Sequence, residues 1–578
     1  MRFLLASLAL LAAPVLAAAP SPDARFTALY TREQAWWQEQ DAGGEDDDRI
    51  TAHLPDVSPA AQAARLAYLR DVRTRLDAIP AKSLSPKAQV DYAVYRFDLD
   101  TRIAAIAARG YEMPVNSDSS PWGDLGYVAR APFRTEEDYR NWITQLRELP
   151  RFLDQHVANM RAGLARGFTP PRITLEGRDT PIVQVIEAKT PEDSLFYIPF
   201  AKMPANIPPA RQAALRQEAR AAIESVVKPA YVKLLAFFRD EYLPGARATL
   251  AAEALPDGKA YYAAQIRAFA TLDRTPDQIH AIGLAEVARI RAEMQDVMRA
   301  TGFKRDLPAF LTFLRTDPQF YAKTPQALLD RAAWTAKEVD GVIGQYIGHL
   351  PRRRFAIVPV PADLAPFYTA GRGGPGQYLV NTYDLPARPL FQLPALTLHE
   401  SAPGHAFQMP LAAENRDQPG FRRNLYISAY GEGWALYCER LGVEMGIYHT
   451  AYERFGMLSY QAWRAARLVV DTGLHAKGWS RDQALAYLRD NTALSEREIT
   501  TEVDRYISWP GQALSYYLGM MAFRDGRAKA EKALGPKFNI RAFHDAVLEL
   551  GSVPLPILDA RIDRFIAEGG KGPYADEE

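Results

Sequence analysis

The chain has one cysteine, Cys438, in 578 residues, so no internal disulfide can form and the core has to hold without cross-links. It has no charge to spare. Its 69 basic residues are matched by 69 acidic ones, whereas a nucleic-acid or anionic-membrane binder would carry a basic excess. Beyond its first residues it has no apolar run approaching the ~20 residues of a membrane-spanning helix. A G-x-S-x-G elbow is missing, and Ser401 and Ser515 stand in no nucleophile setting, which argues against a serine hydrolase. Internal repeats and low-complexity linkers are missing too. These absences leave a large, neutral, globular protein, long enough to bury a core without staples.

The early apolar run sets the compartment. Arg2 precedes Phe3 to Leu16, and the run ends in small residues. A basic start, a short hydrophobic stretch and an Ala-rich end describe a secretory signal peptide, residues 1–17, with cleavage expected after Ala17 and Ala18 the next choice. The mature chain is therefore expected to be periplasmic or secreted. No cysteine lies near the cleavage point, so a lipid anchor is not expected there.

Most of the remainder reads as helix. Residues 60–102, 139–164, 211–242 and 276–298 carry apolar side chains three and four apart, interleaved with charge. Thr275-Pro276-Asp277 and Ser480-Arg481-Asp482 have the composition of helix N-termini. Two stretches read as strand, 355–360 and 377–382, the second after the glycine-rich turn Gly373-Gly374-Pro375-Gly376. The expected fold is mainly α, one unit of two helical lobes (18–270 and 271–578), with a hairpin or small edge sheet beside the motif region. The N-terminal half shows no chemistry of its own and is expected to wall a cleft.

The chemistry gathers in Leu396-Thr397-Leu398-His399-Glu400-Ser401-Ala402-Pro403-Gly404-His405. In the zinc-peptidase motif H-E-x-x-H, two imidazoles stand one helical turn apart beside a glutamate. Here the second histidine comes two residues later. In an unbroken helix six positions would leave the rings about 120° apart. Pro403 breaks the helix and Gly404 permits an unusual backbone, so a bulge can swing His405 back toward His399. The plainer alternative is two unrelated histidines and a solvated glutamate. Twenty-seven residues on, Glu432 sits between Gly431 and Gly433 near Trp434, in a stretch (427–445) that reads as a buried helix. A buried carboxylate is expensive unless paired or bound to a cation, and two histidines with one glutamate form a catalytic zinc set.

Further on, Arg467, Asp471 and His475 share a helical face at four-residue spacing. They read equally as a surface ladder of ion pairs or as a polar stripe lining the cleft, with His475 positioned by Asp471. Residues 505–517 add Arg505, Gln512 and the pair Tyr516 and Tyr517; the aromatics are either core or donors to a developing oxyanion.

At these residues the chain resembles a bacterial family known as uncharacterised domain number 885. The resemblance spans nearly the whole mature chain. It rests on residues 378–382, His399-Glu400-x-x-Pro403-Gly404-His405, residues 432–435, 471–475 and 510–516. That family is similar to helical zinc peptidases such as thimet oligopeptidase, angiotensin-converting enzyme and carboxypeptidase Taq, which enclose a deep channel between two lobes. Ala435 and Glu439 match the small residue and second acid that the oligopeptidases place three and seven positions after their third ligand. The resemblance implies a zinc-dependent peptidase acting on short peptides. His399, His405 and Glu432 would hold Zn²⁺, Glu400 would be the general base and Glu439 would steady a ligand. Tyr516 is the first candidate for the oxyanion donor, with His475 and Tyr517 behind it. Tyr378 on an edge strand would pair with substrate backbone, and Arg505 or Arg372 would hold a substrate carboxylate. A zinc hydrolase of a non-peptide amide, and a silent peptide-binding protein of the same fold, are the alternatives.

Overall fold

The computed structural model describes residues 20–40, 50–117, 119–362 and 364–574; the expected signal peptide lies outside them. Among the described residues the protein is mainly helical with one three-stranded sheet. Each amphipathic stretch folds as helix. Residues 60–102 become two helices, Pro59–Asp77 and Pro86–Ala107, with the short turn Ala81–Ser83 between them. Residues 139–164 lie in α1 (Glu136–Ala165) and residues 276–298 in α2 (Pro276–Ala300). Thr275 opens α2 by accepting the Gln278 N–H at 3.2 Å, and the Gln278 side chain accepts the Thr275 N–H at 3.0 Å. Ser480 opens Arg481–Asn491 in the same way.

The 211–242 stretch is helical throughout, but two of its turns are widened, Ile223–Val227 and Phe238–Tyr242. Each is followed two residues later by a proline, Pro229 or Pro244. Proline lacks the N–H and its ring crowds the carbonyl four residues back; a wider turn upstream accommodates both.

The described residues gather into three apolar cores. One runs from Ile50 to Ala246. The largest runs from Ala252 to Phe565, joined by Val94. A small third core, Phe26 to Leu99, packs against Phe421. The change of core thus falls between Ala246 and Ala252, upstream of residue 270. Polar ties bind these parts together, including a buried Arg422–Asp91 ion pair at 2.7 Å and a Ser508–Ser117 hydrogen bond at 2.8 Å.

The sheet differs from expectation in an instructive way. Its strands are β1 (Ala356–Pro359), β2 (Gly371–Gly374) and β3 (Gln377–Val380), in the order β1-β3-β2. β1 and β3 are parallel rather than a hairpin; the hairpin is β2–β3, which are antiparallel. Pro375 and Gly376, the latter at φ 90°, make its tight turn. The glycine run read as a turn is therefore largely a strand, and it hides from β-propensity because glycine is a poor strand former. β3 is central, so Tyr378 lies fully buried and cannot present an edge to a substrate. The edges belong to β1 and β2.

Six helices then close around a cleft: α3 (Leu393–Glu400), α4 (His405–Glu414), α5 (Ser428–Glu444), α6 (Ala451–Ala476), α7 (Glu496–Ser508) and α8 (Leu514–Leu534).

Candidate metal centre

The inserted residues of the histidine motif break it into two helices. α3 ends on Glu400 and α4 begins on His405, with Ser401 to Gly404 between them and a cis Ala402–Pro403 bond. The Gly404 N–H donates to Leu398 O at 3.1 Å, folding the link tightly against α3. A Cβ on Gly404 would stand 1.9 Å from His399 O, so only glycine fits this approach. The two rings are brought to a centroid distance of 4.9 Å at 85°. Trp434 of α5 donates to Pro403 O at 2.7 Å, pinning the link to the helix that carries Glu432.

Glu432 Oε2 lies 3.4 Å from His399 Nε2 and 3.3 Å from His405 Nε2. Its other oxygen accepts from Tyr426 at 2.8 Å, which turns Oε2 toward the imidazoles. His399 is held from behind, its Nδ1 2.8 Å from Glu439 Oε1. Burial opposes charge on both partners, but the pairing outweighs it. Glu432 stays well below the ordinary carboxylate range because the two imidazoles face it, and His399 rises to about 10 on its bonds to Glu432 and Glu439.

Glu400 also comes close, with one donor atom from each of His399, Glu400 and His405 lying within 4.8 Å of the others. Two carboxylates therefore compete to be the third donor. Glu400 Oε2 is engaged elsewhere, accepting the Gly373 N–H of β2 at 2.6 Å, whereas Glu432 Oε2 bridges both imidazoles. Glu432 Oε2 thus faces both imidazoles, and Glu400 lies beside them with one oxygen on β2. A Cβ on Gly373 would stand 1.7 Å from Glu400 O, which accounts for glycine in this strand.

α5 and α8 cross at two glycines. A Cβ on Gly433 would meet Gly519 Cα at 2.6 Å, and one on Gly519 would meet Ala429 O at 1.9 Å. This crossing brings Tyr516 of α8 to the cluster, its ring nearly parallel to that of His399. The Tyr516 hydroxyl accepts from Arg505 Nη2 at 3.0 Å, which leaves its own proton to be donated into the cleft. Arg505 also bonds Gln512 Oε1 at 2.7 Å.

The cleft holds about 340 Å³ and is lined by His399, Glu400, His405, Glu432, Tyr516, Arg505 and Arg372 among others. Of the other expected residues, Arg467 also lines the cleft, whereas Asp471, His475 and Tyr517 lie elsewhere. Arg467, Asp471 and His475 share a face of α6, but all are buried and none pairs with another. His475 takes the Ala252 N–H on Nδ1 at 3.0 Å and donates from Nε2 to Tyr506 O at 2.9 Å. Both ring nitrogens are thus committed to backbone, and burial holds the ring's pKa down at about 4; His475 is a neutral strut. Asp471 accepts from Tyr262 at 2.5 Å and from Gly511 N at 3.1 Å, anchoring the turn before α8 rather than orienting His475. Tyr517 points away from the cleft, donating to Glu286 at 2.7 Å. The sequence reading passed over Tyr426, Gly373 and Arg464. Tyr426 precedes its helix and Gly373 acts through its backbone, so neither leaves a periodic signal, whereas Arg464 lies one turn before Arg467 on the same face.

A helical protein with a histidine–glutamate cluster at a cleft, behind a broken His-Glu motif, is the class these features define. The chain belongs to the family described as bacterial protein of unknown function (DUF885), whose model matches residues 38–562. It is similar to the crystal structure of a candidate lipoprotein from Colwellia psychrerythraea, with 26% identity and a TM-score of 0.86 over 95% of this chain and 100% of that one. A candidate lipoprotein of unknown function from Shewanella oneidensis shares the fold, at 18% identity and a TM-score of 0.69 over 94% of this chain and 99% of that one. No curated protein matches the chain.

Proposed function

We propose that the protein is an exported zinc-dependent peptidase of short peptides, of the helical kind represented by thimet oligopeptidase and angiotensin-converting enzyme. The observation that carries this reading is the position of Glu432 Oε2, 3.4 and 3.3 Å from the two imidazole nitrogens. A tetrahedral ion about 2.1 Å from each donor separates those donors by about 3.4 Å, which both separations from Glu432 Oε2 match. Two imidazoles, which give up their protons when a metal binds, and one carboxylate suit Zn²⁺ over the harder cations, which prefer all-oxygen sites. When bound, the ion would polarise the substrate carbonyl and acidify water.

The chain's own residues supply the rest. Glu400, held by the Gly373 N–H, takes the proton of the attacking water and returns it to the departing amine. Tyr516 donates to the carbonyl oxygen as it gains charge. Glu439 holds the His399 ring by Nδ1 so that Nε2 faces the cluster. Tyr426 orients Glu432 in the same sense. The lipoprotein descriptions of the Colwellia and Shewanella proteins agree with an exported chain.

The test is the metal content of the purified mature protein beside His399→Ala and Glu432→Ala, run with hydrolysis of a short-peptide library. Near-stoichiometric zinc that is lost in both variants, with chelator-sensitive cleavage, is expected. A folded, active protein without zinc would overturn the ligand assignment. Zinc without peptide cleavage would move the substrate to a non-peptide amide.

A further inference from the structure

The cleft carries positive charge that this chemistry does not use. Arg464 and Arg467 stand close together on α6, 3% and 1% exposed, and both line the cleft. Three of their nitrogens, Arg464 Nε and Nη1 and Arg467 Nη1, have no hydrogen-bond partner. The others are engaged. Arg467 donates from Nε to the Tyr506 hydroxyl at 2.9 Å and from Nη2 to Glu502 at 2.8 Å, and Arg464 Nη2 is 3.6 Å from Glu439 Oε1.

Aromatic faces fix both guanidinium planes. Arg464 Cζ lies 3.8 Å from the Trp463 ring centroid, and Arg467 Cζ lies 4.4 Å from Trp463 and 4.2 Å from Tyr516. Stacking of this kind stabilises the cation but satisfies no in-plane N–H. A buried charged donor left unmet is costly, and the cost falls away when a ligand supplies acceptors. Nearby charges leave room for an anion: Arg464, Arg467 and Arg505 face Glu502 and Glu439, and Glu439 is shared with His399.

We propose that Arg464 and Arg467 receive a carboxylate of the substrate, which makes the protein selective for peptides with a free carboxylate close to the scissile bond. This rests on the peptidase reading of the same site. The distance is set by Tyr516, whose ring centroid is 6.5 Å from that of His399 and 4.2 Å from Arg467 Cζ. At ~3.4 Å per extended residue, the carboxylate lies within about three residues of the bond that is cut. An α-carboxylate at the peptide C-terminus and the side chain of Asp or Glu share this chemistry.

The experiment uses mixed hexapeptides made as C-terminal acids and as C-terminal amides, each with and without Asp and Glu, digested by the zinc-loaded mature protein and read by mass spectrometry. Among peptides lacking Asp and Glu, the acids are expected to be cut about tenfold faster or more, within three residues of the C-terminus. Amides cut as fast as acids only where they contain Asp or Glu would name the side chain as the source. Equal cleavage of acids and amides that lack acidic residues would overturn the proposal. Arg464→Gln is expected to lower the rate on acids to that on amides, with Arg464→Lys restoring part of the difference at unchanged zinc content. The acid-to-amide ratio is measured within the wild type, so a misfolded variant cannot imitate it. If zinc binds and no peptide is cut, the peptidase reading fails by itself. Calorimetry of the same acids and amides on Glu400→Gln then decides the arginine assignment: tighter binding of acids supports it and equal binding overturns it.

Discussion

The phenol of Tyr516 lies nearly parallel to the imidazole of His399, 14° apart in plane with ring centroids separated by 6.5 Å. Its hydroxyl is held from one side by Arg505. This pair places a proton donor beside the candidate metal centre without making it a ligand. Replacing Tyr516 with Phe is expected to lower kcat by about a hundredfold or more, as the loss of one oxyanion donor does, with zinc content and KM little changed. Steady-state kinetics and metal analysis on one preparation check it. A wild-type kcat would remove Tyr516 from the oxyanion role.

Glu439 is fully buried and bonds His399 at 2.8 Å. Glu439→Gln keeps the shape but weakens the hold on the imidazole. It is expected to weaken zinc binding about 10- to 100-fold. Competition with a chromophoric chelator reads this directly, and unchanged affinity would reduce Glu439 to a packing role.

The contact of α5 with α8 leaves no room for a methyl group. Gly519→Ala would place a Cβ 1.9 Å from Ala429 O, so the helices have to part. The expected loss is about 1–3 kcal/mol of stability, with zinc affinity falling because Glu432 and Tyr516 sit on the two separated helices. Denaturant unfolding with a zinc titration tests both consequences. Wild-type values in each would mean that the crossing tolerates the extra atom.

Burial pushes the Asp471 carboxyl up to about 7, against the hydrogen bonds from Tyr262 and Gly511 that favour its charged form. The folded value lies above the unfolded one of about 3.9. Its contribution to stability is therefore full below about pH 3.9 and is lost as pH rises through 7. Asp471→Asn cannot ionise, so its melting temperature should fall less than that of the wild type over this interval. Melting curves of the two that shift in parallel with pH would remove the assignment.

How much of this was legible in the sequence depended on how each residue acts. Helices were readable because apolar spacing survives in any helix that buries one face. The broken His-Glu motif was readable because Pro403 and Gly404 announce a bend. Asp471 and His475 misled for a physical reason: a polar residue turned toward a core and one turned toward a cleft have the same helical spacing. β2 was missed because its role needs backbone and the absence of a side chain. The unmet nitrogens of Arg464 and Arg467 depend on what other elements fail to offer them, and no local pattern encodes that.

The edge strand β2 lies along the cleft, and its Gly373 N–H already grips Glu400. In an antiparallel pair, alternate residues turn their backbone groups outward. Gly371 therefore faces the same way as Gly373, and the Gly373 carbonyl remains beside the bond to Glu400. A peptide laid against this edge would touch the strand that aims the base. Recognition and reaction would then share one mechanical part. Changes to β2 should move kcat and KM together, and a peptide too short to engage the strand should lose turnover as well as affinity.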